Sequence, residues 1–249
     1  MPECGGAVKR RVPLLYTLRR KIPLWPRTMP RKRPGNGSTT DTSERIADAA
    51  LALFNAEGWH AVSTRHIAAR LGISPGNLYY HFANKEEIAL RLYERIELQL
   101  DTVLAPPSGA YGSFDEILAY IDAILGHLWE FRFFYRDLNS LLREVPGLKD
   151  KYRALAERVL GRARRIFSGM VEAGWMEASD EQLDLLATNA WIILTQWFTH
   201  RQVMDRRRTI QSSDIHDGLR HLVALFSPAL RPPQRRQVQR LLDQSARVP

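Results

Sequence analysis

Cysteine is nearly missing from this chain. The only one among 249 residues is Cys4, so no intrachain disulfide and no cysteine-based metal site can form, a usage that fits the reducing cytoplasm. Long apolar runs are missing as well. The densest, Ala190 to Phe198, is interrupted by Thr195 and Gln196 and falls far short of the roughly 20 apolar residues that span a bilayer. Near the N-terminus the apolar piece Val12 to Leu18 is cut off by Arg19-Arg20-Lys21, a poor match to a secretory signal. The seven histidines show no H-E-x-x-H spacing, and His216 and His221 stand five apart, off a common helical face. No G-x-S-x-G, phosphate-binding loop or dinucleotide fingerprint occurs. Strand-like alternation and internal repeats are absent too. These gaps leave no signature for an enzyme, a metal, a cofactor or a membrane span.

Positive charge is scarce where a basic protein would be expected to carry it. The net charge is +9, yet ten of the 36 basic and one of the 27 acidic residues lie in residues 1–40. The remainder therefore holds 26 of each. The tail also carries six prolines and the run Gly35-Asn36-Gly37-Ser38, a composition that does not pack. The expectation is a disordered basic tail over residues 1–40. A basic arm of this kind can track a phosphate backbone. Alternatively translation begins at Met29 and most of the tail is not made, which is the preferred reading.

What is present is helical periodicity, with 45% hydrophobic residues to fill a core. The densest signal is Ser63 to Glu87, STRHIAARLGISPGNLYYHFANKEE. Ser63 stands as an N-cap, and Ile67, Ala68 and Leu71 form one apolar stripe. Gly72 supplies the left-handed residue that ends a helix. Ser74 caps a second helix with Pro75 at its first position, where a missing N–H costs nothing. Leu78 and Phe82, four apart, face inward. Asn77, Tyr79, Tyr80 and His81 are left outward or sideways, a crowd of polar-tipped rings that suits phosphate oxygens and base edges. Two short helices on a tight turn describe a helix-turn-helix. Asn84 with Glu87 then has capping-box spacing and opens a helix to about Leu104.

With the preceding helix (Ala49, Ala50, Phe54, then Gly58), this string resembles the N-terminal domain of TetR-family transcriptional regulators over residues 41–101 without a gap. The resemblance implies an all-α fold: a three-helix helix-turn-helix DNA-binding domain and a larger helical ligand-binding and dimerisation domain. It implies DNA contacts at Thr64 and Arg65, at Ser74, Pro75, Gly76 and Asn77, and at Tyr79, Tyr80 and His81, with Lys85 on the backbone. Gly76 departs from the larger side chains some members carry there, so readout is expected to lean on Asn77 and Tyr80.

Beyond the break at Ala105 to Gly109 the chain stays helical. A stripe from Phe114 to Leu128 is followed by the aromatic-rich WEFRFFYRDLNSLL, residues 129–142. A long amphipathic helix is expected from about Leu148 to Ala173, and Gly174 ends it. A very apolar helix follows from Ser179 or Asp180 to about Met204, then one from Ser213 to Phe226 stopped by Pro228. Residues 102–230 are read as the ligand and dimer domain and 231–249 as a loosely ordered tail. The segment FRFFYRDLNSLLREVPGLKDKY is similar to the C-terminal domain of a TetR subgroup known only as bacterial transcriptional repressors.

The aromatic segment is the place to seek a ligand pocket. Its candidates are His127, Trp129, Phe131, Phe133, Phe134, Tyr135, Arg136 and Asn139, joined by Trp175, Asn189 and Trp191; the alternative is an ordinary core stripe with Arg136-Asp137 as a solvated ion pair. The helix from Asp180 to about Met204 is apolar on more than one face, and helix 213–226 is its natural second member. The resemblance pairs them with their copies in a homodimer, through Trp191, Leu194, Phe198, Leu219, Leu222 and Phe226.

The expected function is that of a cytoplasmic regulator with no cofactor, no metal, no catalytic residue and no membrane partner. Its partners are double-stranded DNA at a near-palindromic operator, a second copy of itself and an unknown small apolar or amphipathic effector that releases the DNA. The alternatives are an activator or ligand-independent regulator on the same scaffold, or a helical enzyme or partner-binding protein with a vestigial helix-turn-helix.

Overall fold

The computed structural model describes residues 39–105, 113–204 and 210–245. The basic tail expected over residues 1–40 lies outside them as far as residue 38. Eleven α-helices follow in the described residues. The first four are α1 (Thr39–Glu57), α2 (Thr64–Leu71), α3 (Pro75–His81) and α4 (Lys85–Val103). After them come α5 (Phe114–Glu130), α6 (Arg132–Arg136), α7 (Leu138–Glu144) and α8 (Leu148–Glu172). The chain ends with α9 (Asp180–Met204), α10 (Ser212–Phe226), a short 3-10 turn and α11 (Pro232–Ser245). The fold is all-α; among the described residues the one β-type pairing is an isolated bridge between Met176 and Leu230.

Local chemistry explains the boundaries of the first helices. Ser63 accepts from the His66 N–H at 3.2 Å and Ser74 from the Asn77 N–H at 3.1 Å. Each satisfies one of the donors a helix start leaves open. Gly72 ends α2 at φ +66°, where a Cβ would crowd the following carbonyl. Asn84 and Glu87 cap the next helix: the Glu87 N–H donates to Asn84 Oδ1, and the Glu87 carboxylate reaches back one residue past the N-cap to accept from the Ala83 N–H, both at 2.8 Å.

Packing joins the first four helices to the rest without a gap. One core runs from Ile46, Phe54 and Leu78 through Leu92 and Ile96 into Phe133, Phe134 and Leu141. A second fills the far end, around Phe167, Met170, Leu183 and Phe226. Helix α11 corrects the expectation of a loosely held tail over residues 231–249. Val238 is buried in the second core, and the Arg235 guanidinium donates to the carbonyls of Pro228 and Leu230 at 3.0 and 2.9 Å.

The aromatic segment is not one helix. It breaks at Phe131 (φ −106°, ψ 30°) into α5 and α6. Asn55 from α1 covers the break: its amide donates to the Glu130 carbonyl at 2.8 Å and accepts from the Phe133 N–H at 3.0 Å. Backbone groups freed by the break thus regain partners from another element.

Candidate nucleic-acid interface and apolar cavity

Helix α3 presents its polar side outward. Leu78 is fully buried, whereas Tyr79 is 50% and Tyr80 76% exposed. Rings this exposed lose their burial energy, which a purely structural helix would keep. Tyr79 is already oriented: its hydroxyl lies 3.0 Å from Thr64 Oγ1, linking α3 to the start of α2. His81 meets Tyr80 edge-on at 5.2 Å. Arg65, Ser74, Pro75, Gly76 and Asn77 are all exposed on the same pair of helices. A Cβ at Gly76 would meet only the Ser74 hydroxyl, at 3.9 Å, so the backbone there stands open to close approach.

Lys85 behaves differently from the other expected contacts. Its ammonium donates to the Trp59 carbonyl at 3.0 Å and sits 4.0 Å from the centroid of the Trp59 ring. Burial lowers its pKa below the usual lysine value, with Glu86 and Glu144 opposing. Its side chain serves as a strap on Trp59. Arg91 and Arg95 are likewise engaged within the protein, on Glu44 and, for Arg95, on Asp48. That engagement holds Glu44 below its ordinary pKa against the opposing pull of desolvation.

Trp59 itself is the rivet between the two halves. Its N–H donates to Asp137 Oδ2 at 2.9 Å, and its indole N–H donates to Glu144 Oε2 at 2.7 Å. Beside it Arg136 donates to the Phe54 carbonyl at 2.7 Å and pairs with Asp137 at 3.0 Å. Gly58, at φ +95°, leaves room for that guanidinium: a Cβ would stand 3.2 Å from Arg136 Nη2.

A cavity of about 120 Å³ lies among α4, α5, α8, α9 and α10. Its wall is carbon almost throughout, from Leu104, Ile121, Val159, Phe167 and Phe226 among others. Among the described residues no Asp, Glu, Lys or Arg lines it. His127 and Trp191, expected at a pocket, are in this wall, and so are Tyr120, Tyr135 and Thr195. His127 is completely buried between Gln99, 3.1 Å from Nδ1, and Tyr135, 2.7 Å from Nε2. Burial drives its pKa down to about 3 and pushes the Tyr135 hydroxyl well up. The imidazole is therefore neutral at pH 7.

The remaining pocket candidates are placed elsewhere, each for a physical reason. Phe133 and Phe134 turn into the first core, where Phe133 meets Phe54 at 5.3 Å and Phe134 meets Tyr93 at 5.5 Å. Trp129 lies under the Arg132 guanidinium at 4.3 Å. Arg136 is held by the α1 carbonyls. Trp175 stands edge-on to Phe114 at 5.7 Å, outside the wall. Asn139 and Asn189 are exposed to solvent. Tyr135, expected among the rings of the aromatic segment, does line the cavity, whereas Thr195 carries no signal in the sequence because it lies on another helix. Tyr135 reaches His127 across the break at Phe131, and Thr195 comes from α9.

The residues expected at a dimer interface are placed as follows. Phe198, Leu222 and Phe226 are buried in the protomer's own cores, and Trp191 and Leu194 line the cavity. Leu219 is half-buried against both cores. The apolar side chains that α9 leaves in water are Leu185, Ile192, Val203 and Met204. Residues 185, 192 and 203 fall on one helical face. Helices α9 and α10 cross closely at Gly218, where a Cβ would stand 2.9 Å from the Trp197 ring. The Trp197 indole donates to the Asp214 carbonyl at 2.5 Å.

No helix among the described residues is long and apolar enough to cross a membrane. Among them, too, no three His, Cys, Asp or Glu side chains are grouped to hold a metal ion.

Comparison with known proteins agrees with this architecture. Residues 46–92 match the family described as "Bacterial regulatory proteins, tetR family", and residues 95–238 match "TetR: Bacterial transcriptional repressor". A TetR-family transcriptional regulator from Marinobacter aquaeolei VT8 has a similar crystal structure. It is 31% identical, with a TM-score of 0.74 over 82% of this chain and 98% of that one. The TetC protein of transposon Tn10 from Escherichia coli is 20% identical over 64% of this chain and 77% of its own length. The transcriptional regulator TcmR of Streptomyces glaucescens is 25% identical over 51% of this chain and 59% of its own.

Proposed function

The chain belongs to the TetR family of transcriptional regulators, and from that premise we propose that it is a homodimeric repressor. It holds a near-palindromic operator through α3 and leaves it when a small apolar or amphipathic molecule enters the cavity. One observation carries this reading. Tyr135 faces the cavity, and the next residue, Arg136, grips the last turn of α1. Whatever moves Tyr135 therefore acts on the reader at a distance of one peptide unit. Helix α4 is a second connection, since its far end supplies Leu100 and Leu104 to the cavity wall while its first turn follows α3.

The mechanism is a population shift. An effector that binds the DNA-incompetent arrangement about 100-fold better than the competent one contributes roughly 2.7 kcal/mol of coupling. Domain roles follow the helices: residues 41–101 read DNA, and 102–230 hold the ligand and the partner. DNA contact falls to Thr64, Arg65, Ser74, Pro75, Gly76, Asn77, Tyr79, Tyr80 and His81, while the Lys85 side chain is occupied by Trp59. The copies meet through α9 and α10, on the face that carries Leu185, Ile192 and Val203. Two-fold symmetry then sets the two α3 helices about one DNA turn apart, roughly 34 Å.

Fluorescence anisotropy with the duplex upstream of the protein's own gene tests the reading. Binding that weakens with salt supports it. No binding to that region, together with unchanged regulation in cells by a Tyr79→Ala/Tyr80→Ala variant, defeats it. The dimer is tested by analytical ultracentrifugation at micromolar concentration. A wild-type monomer, or an Ile192→Glu variant that stays fully dimeric, refutes the interface.

A further inference from the structure

The polar corner of the cavity has a direction. The Glu130 carboxylate only accepts, so Gln99 turns its amide nitrogen toward it and donates at 3.1 Å. The Gln99 oxygen is thereby left facing His127 Nδ1 at 3.1 Å. A carbonyl oxygen also only accepts, so the imidazole hydrogen sits on Nδ1. Nε2 is then a bare acceptor, and the Tyr135 hydroxyl donates to it at 2.7 Å. Because burial keeps His127 neutral, no second imidazole proton is present to reverse the chain. Every hydrogen in the relay points away from the cavity, toward Glu130.

The other wall hydroxyls have also committed their hydrogens. Thr195 donates to the Trp191 carbonyl at 2.8 Å, and Tyr120 donates to the Ala105 carbonyl at 2.7 Å. No hydroxyl of the wall among the described residues therefore has a hydrogen left to give to an incoming molecule. A relay of successive donors ending on an anion also polarises its members, which makes the Tyr135 oxygen a stronger acceptor than an isolated phenol.

We propose that the ligand of this cavity is an uncharged, largely hydrocarbon molecule that donates a single hydrogen bond, an alcohol or a phenol, to the Tyr135 oxygen. This rests on the reading of the cavity as the effector site. A carboxylate finds no cation in the wall and would face oxygen lone pairs. An ammonium would lose its hydration with no carboxylate among the described wall residues to replace it. Against the hydroxyl oxygens a ketone or ether brings an acceptor to acceptors and leaves both unpaired; its donor would have to be the Trp191 indole N–H, also in the wall.

Isothermal titration of the full chain at neutral pH decides this with four probes of similar size: para-butylphenol, para-butylanisole, para-butylbenzoate and para-butylbenzylamine. The phenol is expected to bind on the order of tenfold tighter than the anisole, the scale of one well-placed hydrogen bond. The benzoate and the benzylammonium are expected not to bind. Glu130→Gln, which frees Gln99 and His127 to reverse their hydrogen bonds, is expected to bring the phenol-to-anisole ratio toward one. The proposal is overturned by an anisole or a charged probe that binds as tightly as the phenol, by no binding of any probe, or by a ratio that Glu130→Gln leaves unchanged. Anisole binding that Trp191→Phe abolishes assigns the contact to the indole N–H and overturns it too. A phenol that binds with the expected preference but does not release operator DNA leaves this ligand class standing and defeats the effector reading instead.

Discussion

The reader helices and the cavity half solve the same problem, the satisfaction of polar groups, over very different ranges. In α2, α3 and the start of α4, the capping hydrogen bonds span three or four residues: Ser63 to His66, Ser74 to Asn77, Asn84 to Glu87 and back from Glu87 to Ala83. Around the cavity and its seam the partners are far apart in sequence. Gln99 and His127 are 28 residues apart, Asn55 and Phe133 78, and Trp59 and Glu144 85. Local bonds make a unit that holds its shape whatever lies beyond it. Long-range bonds make a unit whose parts feel one another, which is what a response to a ligand requires. Under the proposed function, rigidity belongs to the part that would touch DNA and coupling to the part that would receive the effector.

The strongest way to break it is at the seam. Trp59→Ala removes a fully buried indole with partners on α1, α4 and α7, and is expected to cost about 3–5 kcal/mol. Chemical denaturation checks the value; a loss within the range of a surface substitution would mean that the halves are not riveted there.

Next in size is the pH response of the cavity half. His127 has its folded pKa lowered to about 3, from an ordinary value of 6.5. Below about pH 6.5 the unfolded chain takes up a proton that the folded chain refuses. Stability is thus fully present above that pH and is lost as pH falls toward 3, by up to about 1.4 kcal/mol per pH unit. His127→Gln is expected to remove that slope in urea titrations from pH 7 to about 4.5. An unchanged slope assigns it to other groups.

Gly218→Val forces two methyl groups into the Trp197 ring and is expected to cost roughly 1–3 kcal/mol, read as a lower thermal midpoint. The dimer proposed on the same two helices is expected to weaken with it.

In the reader the effects should be smaller and confined. Tyr80→Ala is expected to weaken operator binding by roughly tenfold, a loss of about 1.4 kcal/mol, on the scale of one base or phosphate contact. The melting temperature should stay unchanged, because the ring is mostly in water. A large fall in stability would give Tyr80 a structural role. Ser74→Ala is expected to cost about 1 kcal/mol, the ordinary value of an N-cap, with hydrogen exchange raised only in α3. Protection lost as far as α6 would mean the reader is not the self-contained unit its bonding pattern implies.

The candidate site was readable in the same uneven way. Ser63, Gly72, Ser74, Pro75 and Asn84 act on backbone groups a few residues away, so their spacing alone places α2, α3 and the start of α4. Exposure of Tyr79 and Tyr80 follows once Leu78 and Phe82 are turned inward. The aromatic run from Trp129 to Tyr135 gave no such lead. Its rings are alike in sequence, and the break at Phe131 decides which of them enter the core and which one meets the cavity. For the same reason α9 read as apolar all round without revealing which face stays in water.

By itself, then, the order of residues determined the helices, their caps, the polar outer face of α3 and the family resemblance. Those features depend on i, i+3 and i, i+4 neighbours, which chain connectivity supplies. Tertiary structure alone decided that Tyr135 pairs with His127, that Glu130 sets the direction of their hydrogen bonds, that Lys85 belongs to Trp59, and that Leu185, Ile192 and Val203 are the apolar residues left uncovered on one face of α9. Each of these joins or separates groups that only packing brings together, and no local rule ranks one buried ring or one helix face above another.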